Sequence, residues 1–160
     1  MLKQILKISI IMIINLLPMV LSAQGWFIVN ITSNLNFGTF YPVGDGGKVI
    51  IDNSGTRHSE GNIVLMPSSS SSCSFTTRNN RNSKECNVRS VAVQSPVNLI
   101  RNGGNGSMKL QLNTISPSSW IIEPKETVTV SFGGILYVGP ISSNPPGIYS
   151  GSFEISLNYE

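Results

Sequence analysis

Short alternating segments separated by turn clusters are the feature that most limits what this sequence can fold into. Met108, Leu110 and Leu112 alternate with polar residues, which is the period of a strand with one buried face. After residue 24, no window keeps apolar residues at helical spacing over three turns. Clusters rich in glycine, asparagine and proline, such as residues 44–47 and 144–147, lie between the segments. The sequence therefore predicts an all-β protein.

The strand pattern recurs often enough to predict an architecture. An immunoglobulin-like antiparallel β-sandwich of about seven to nine strands is typical of short strands at this spacing. The segments with the pattern are residues 26–32, 48–52, 62–66, 73–78, 87–94, 108–112, 127–132, 135–138 and 148–159.

The first residues have the pattern of a secretory signal peptide. Lys3 and Lys7 precede the apolar run 8–21, and Ala23 is a small residue suited to cleavage. A membrane anchor is the competing interpretation, but the run is short of the roughly 20 apolar residues that span a bilayer. We expect a signal peptide at 1–23 and a single domain at 24–160, exported to the periplasm, the cell surface or the medium, with no transmembrane helix.

The net charge gives no case for a nucleic-acid partner. The full chain has 11 Lys and Arg against 8 Asp and Glu, for a net charge of +3. Removing Lys3 and Lys7 with the signal peptide leaves one excess positive charge. The high isoelectric point is therefore largely a property of the leader.

Cys73 and Cys86 are the only cysteines. In an exported protein, a lone pair most simply forms a disulfide, and a loop of this size is worth about 3 kcal/mol in the chain-entropy model. A metal site is the weaker alternative, because no further His or Cys stands nearby to complete a tetrahedron. We predict a disulfide that braces a hairpin between the two residues.

Side chains for catalysis are scarce. The chain has one histidine, His58, and two aspartates, Asp45 and Asp52. No GxSxG motif places a nucleophilic serine, and the glycines at 44–47 lack the spacing of a phosphate-binding loop. We expect no enzymatic activity, no cofactor and no metal site.

Two sets of residues remain as candidates for binding. The first set consists of apolar residues that alternate in the terminal segments and are expected to form assembly strands: Trp26, Phe27, Val29, Ile31, Phe153, Ile155, Leu157 and Tyr159. The second is a basic tip inside the cysteine loop, with Arg78, Arg81 and Lys84 as ligand candidates together with Trp120. A solvated hairpin tip is the alternative for the second set.

Several motifs resemble one family of secreted bacterial domains. LNFG at 35–38, GTR at 55–57, SPVNLIRNGG at 95–104 and GIYSGSFEISLNY at 147–159 are similar to the family catalogued as domain of unknown function 4402. The resemblance covers residues 35–159 and implies export and a β-domain. By analogy, the family is similar to pilin-type and spore coat U domains, which a periplasmic chaperone and an outer-membrane usher assemble. Fold-level analogy of this kind is weaker than a site.

Two functions follow as hypotheses. The first is a structural subunit of a pilus-like or coat-like surface assembly, with itself or related subunits as partners joined by strand exchange. The second is a self-contained adhesin or carbohydrate- or protein-binding module that completes its own sandwich.

Overall fold

The computed structural model of the protein describes residues 25–115 and 117–160. The predicted signal peptide lies outside the described residues. Within these described ranges, twelve strands form three antiparallel sheets, so the predicted antiparallel β-sandwich is confirmed, with more strands than the sequence predicted. The strands are β1 Phe27–Ser33, β2 Phe40–Ile51, β3 Arg57–Leu65, β4 Cys73–Asn79, β5 Cys86–Val93, β6 Val97–Arg101, β7 Ser107–Leu112, β8 Trp120–Ile122, β9 Thr127–Phe132, β10 Gly134–Val138, β11 Tyr149–Ser150 and β12 Ile155–Tyr159.

The largest sheet has six strands in the order β11-β6-β7-β10-β2-β3, and two smaller sheets have the orders β1-β4-β9 and β12-β5-β8. Side chains from all three sheets meet in the core, where Phe75, Phe132 and Ile51 are fully buried. Burial of such side chains is the main force that holds the sheets together. A second, smaller cluster forms around Cys86, Val88 and Ile122.

The segment between β4 and β5 is a crossover and not the predicted hairpin. β4 pairs with β1 and β9, whereas β5 pairs with β8 and β12. Asn79 anchors this crossover: its side-chain amide donates to the carbonyls of Lys84 (2.8 Å) and Ile122 (3.1 Å), and its Oδ1 accepts from the Arg81 amide (3.0 Å). Asn79 is fully buried, so its three bonds satisfy groups that water does not reach.

The predicted disulfide between Cys73 and Cys86 is wrong, because β4 and β5 belong to different sheets. Both cysteines are free and buried. Cys86 pairs with Ile122 in the ladder, and Ile122 accepts a hydrogen bond from Asn79 at the far end of β4 from Cys73. Six residues of strand span about 20 Å, well beyond the roughly 7 Å that a disulfide allows between Cα atoms.

The motifs LNFG at 35–38 and GTR at 55–57 meet in one loop region before β2. Gly38 has a φ of 67°, a conformation that favours glycine, and a Cβ there would collide with the guanidinium of Arg57 and the hydroxyl of Ser68. Arg57 donates to the carbonyls of Phe37 (2.9 Å) and Met66 (2.7 Å). LNFG and GTR therefore have a structural role, which is to join the start of β2 to the end of β3.

Candidate functional site

The two terminal strands are edge strands that lie on the same side of the sandwich. Among the residues described, β1 pairs only with β4, and β12 pairs only with β5. Their ends meet where the ring of Phe27 stacks on that of Tyr159, with centroids 3.9 Å apart. The predicted assembly strands, which the sequence placed at opposite ends of the chain, are therefore neighbours in space.

Residues of both strands line an apolar cavity of about 510 Å³, which we call the lateral cleft. Cys73 and Phe75 of β4 also line it. The predicted residues that face it are Val29, Ile31, Phe153, Ile155 and Leu157. Its volume lies within the range of known binding cavities.

The lateral cleft leaves apolar side chains in water. Val29 is 44% exposed and Ile31 is 67% exposed, although both line the cleft. β1 and β12 carry no charged residue. Exposed sheet edges in monomeric proteins are usually protected by charges, proline or a covering loop, and these two strands have neither charge nor proline.

A second cavity of about 490 Å³ adjoins the lateral cleft and shares Leu35, Gly151 and Phe153 with it. It lies against the six-stranded sheet, with Tyr41 and Tyr149 in its lining. None of the residues that line either cavity is charged. The pair of cavities is suited to an uncharged or apolar occupant.

The end of β12 is tied firmly to its own sheet. The main chains of Asn87 and Glu160 exchange two hydrogen bonds (3.2 and 3.1 Å), and the Glu160 carboxylate pairs with Arg89. The hydrogen bond from Arg89 lowers the pKa of the Glu160 carboxyl below its usual value. β12 therefore provides a fixed wall of the lateral cleft.

The predicted ligand tip does not form one site. Arg78 and Lys84 are exposed, whereas the guanidinium carbon of Arg81 lies 3.4 Å from the ring centroid of Trp26. The ring N–H of Trp120 donates to the hydroxyl of buried Thr77 (3.2 Å). Arg81 and Trp120 are thus already engaged within the fold, in two different contacts.

Asp52 and His58, which were considered for catalysis, lie on the hairpin between β2 and β3. Asp52 closes a turn by accepting from the hydroxyl of Ser54 (2.6 Å) and the amide of Thr56 (2.8 Å), and these bonds lower the pKa of its carboxyl. His58 is exposed on β3. Residues 25–115 and 117–160 contain no cluster of three or more His, Cys, Asp or Glu that could hold a metal ion. The same ranges contain no helix able to cross a membrane.

Sequence reasoning missed Phe75, which lines the lateral cleft and is fully buried. Its alternation with Cys73 and Thr77 placed it on the inner face of β4, so the signal was present. What the sequence lacked was the pairing of β4 with β1, which sets Phe75 opposite Ile31.

Residues 29–159 match the family model described as a domain of unknown function, DUF4402. The chain belongs to the DUF4402 family. The match spans both walls of the lateral cleft, from Val29 in β1 to Tyr159 in β12. No curated protein and no solved structure matches the chain.

Proposed function

We propose that this DUF4402 protein is a non-enzymatic structural subunit of a bacterial surface assembly, similar to a pilus or a coat, whose subunits are joined by strand exchange. The lateral cleft is the observation that carries the proposal. It combines two unpaired, uncharged strand edges with an apolar floor. This is the surface that an added β-strand requires: main-chain hydrogen bonds along an edge, and a cavity for alternate side chains.

β1 is the strand best suited to exchange. It carries Phe27, Val29 and Ile31 at alternate positions, and it is held by a single ladder. In their own chain, Val29 remains partly and Ile31 mostly exposed to water. Fuller burial of both in a neighbouring subunit would contribute roughly 2 kcal/mol, since complete burial of one such side chain is worth about 1.5–3 kcal/mol.

The partners in this proposal are second copies of the chain or related subunits. Export is part of the same proposal, with the periplasm, the cell surface or the medium as the place of assembly. A periplasmic chaperone and an outer-membrane usher are the assembly partners suggested by analogy with pilins. A chaperone would cover the lateral cleft until a subunit arrives, because an open apolar edge favours aggregation.

A self-contained adhesin or binding module is the second candidate, and one observation favours it. β1 pairs with β4 of its own chain over six residue pairs, from Phe27 with Asn79 to Ser33 with Ser74. In that case the cavities would hold a ligand and not a strand. An uncharged, partly apolar ligand is the class that their lining fits.

The two candidates are separated by deleting residues 24–32 from the exported chain. We expect the intact protein to form concentration-dependent oligomers in light scattering, and the truncated protein to form none on its own. A synthetic peptide of residues 25–33 is then expected to bind the truncated protein and raise its melting temperature. If intact and truncated proteins are equally stable monomers, strand exchange is wrong.

A further inference from the structure

At the N-terminal end of β1, Trp26 and Phe27 pack against aromatic and cationic side chains. The Arg81 guanidinium carbon lies 3.4 Å from the Trp26 ring centroid. The Tyr159 ring meets Trp26 edge to face, with centroids 5.4 Å apart, and stacks on Phe27. We call this group of Trp26, Phe27, Arg81 and Tyr159 the Trp26 lock.

The residues around Trp26 are held in place by two different parts of the fold, the crossover after β4 and the strand β12. The amide of Asn80 donates to the Trp26 carbonyl (2.7 Å), and the Arg81 amide donates to the buried Asn79 side chain (3.0 Å). Tyr159 is on β12, whose end is tied to β5. The lock therefore joins β1 to the crossover and to the opposite sheet at the same time.

Arg81 has an unusual environment for a cation. Its Nη1 is buried without a hydrogen-bond partner among the described residues, and buried polar groups without a partner are rare in folded proteins. The guanidinium lies over the Trp26 ring, and this contact favours the cation electrostatically. The side chain is thus placed to hold a ring.

The remainder of β1 is held by its ladder with β4. At its far end, the hydroxyls of Thr32 and Ser74 are 2.8 Å apart, and the Ser33 hydroxyl donates to the Ser72 carbonyl (3.0 Å). Val29 and Ile31 are 44% and 67% exposed, and the register with β4 shifts between Ile31 and Ser33. β1 is consequently held by ring and cation contacts at one end, and by main-chain and hydroxyl hydrogen bonds along the rest. Release of the Trp26 end would leave the strand with its ladder and these small polar contacts, while Val29 and Ile31 add little burial.

We infer that the Trp26 lock decides whether β1 stays in its own chain or pairs with β4 of a second copy. This inference rests on the proposed function and adds its regulation. When Trp26 leaves its own Arg81 and Tyr159, the same two side chains become a receptor for Trp26 of the other copy. A second copy restores every contact that the first has lost, which is the condition for strand swapping at low cost.

The first test measures β1 opening within one chain. Arg81→Ala is compared with Lys84→Ala, an exposed basic residue in the same crossover. Hydrogen exchange of the β1 amides is expected to be roughly fivefold to thirtyfold faster in Arg81→Ala, the span that loss of a cation–π contact predicts. Arg81→Lys keeps the charge without the planar stack. Its β1 exchange rate is expected to lie between those of Arg81→Ala and Lys84→Ala. If Arg81→Ala does not fold, Arg81→Lys takes its place in the comparison.

The second test measures exchange between copies. Asn30 and Thr76 are ladder partners with exposed or half-exposed side chains, and opposite residues in a ladder are within disulfide distance. One copy carries Asn30→Cys and the other Thr76→Cys, and the two are mixed and oxidised. Covalent heterodimers are expected to form. Arg81→Ala in both copies is expected to raise the rate of their formation, and Lys84→Ala in both copies to leave it unchanged. Wild-type chains, oxidised in the same way, measure the background.

The outcomes separate the lock from the proposed function. Equal β1 exchange in Arg81→Ala and Lys84→Ala overturns the lock, even if heterodimers form and strand exchange stands. Faster β1 opening without heterodimers in any mixture overturns both the role of the lock and strand exchange between copies. Faster opening together with faster heterodimer formation supports the inference.

Discussion

Asn79→Ala is the change that most sharply tests how the crossover holds the two small sheets together. Asn79 is fully buried, and its side chain makes three hydrogen bonds. At roughly 0.5–1.5 kcal/mol for each bond, its loss is expected to cost about 2–4 kcal/mol in the free energy of unfolding. The upper part of the range applies because the carbonyl of Ile122, next to the second core cluster, loses a partner.

Urea unfolding followed by circular dichroism measures this cost. We expect a lower urea midpoint with an unchanged slope, because stability is lost while the surface exposed on unfolding stays the same. Asn82→Ala is the matched control, since Asn82 is exposed in the same crossover and is expected to change stability by less than about 0.5 kcal/mol. A cost for Asn79→Ala as small as that of the control would refute the anchoring role.

Three further predictions concern other parts of the fold. Gly38→Ala is expected to cost about 2 kcal/mol by calorimetry, because its positive φ strains alanine and its Cβ displaces the Arg57 side chain; an unchanged melting temperature would contradict this. Cys73 and Cys86 are expected to react with a thiol reagent only after unfolding, since burial raises the pKa of both thiols, and a reductant should not change stability. Asp52→Asn is expected to lower stability at neutral pH and to lose this effect in acid. The pKa of the Asp52 carboxyl is lowered from 3.8 in the fold, so its charged form stabilises the fold above that value and stops doing so as the pH falls through the folded pKa. A stability difference that persists in strong acid would contradict this prediction.

Local periodicity was a reliable guide to which side chains are buried. Met108, Leu110 and Leu112 were predicted to share one face, and all three are buried, because the pleat of a strand sets this alternation without help from the rest of the chain. Short strands in polar surroundings were missed. Trp120 begins a three-residue strand, β8, that the serines and prolines before it concealed.

Longer-range features depended on pairing, which a single sequence does not reveal. The final segment was predicted as one strand, but residues 151–154 interrupt it between β11 and β12. The break is needed because β11 belongs to the six-stranded sheet and β12 to a smaller one. The disulfide prediction failed in the same way, since proximity along the chain does not show which sheet each cysteine joins.

The candidate site combined both kinds of information. The alternation of Val29 with Ile31, and of Ile155 with Leu157, was visible in the sequence. That these two strands would line one cavity together with Phe75 appears only in the way the two small sheets pack against each other. The residues of the lateral cleft were thus mostly predicted, and the cleft itself was not.

The most direct test of strand exchange is a reversible staple on β1. A chain that carries both Asn30→Cys and Thr76→Cys can be closed by oxidation while it is a dilute monomer, which ties β1 to its own β4. The control staple is Lys109→Cys with Tyr137→Cys, a ladder pair between β7 and β10 that leaves β1 free.

We expect the β1 staple to prevent assembly when the protein is concentrated, and a reductant to restore it, while the control staple assembles in both states. Assembly of the stapled chain at the same rate as the control would contradict strand exchange through β1.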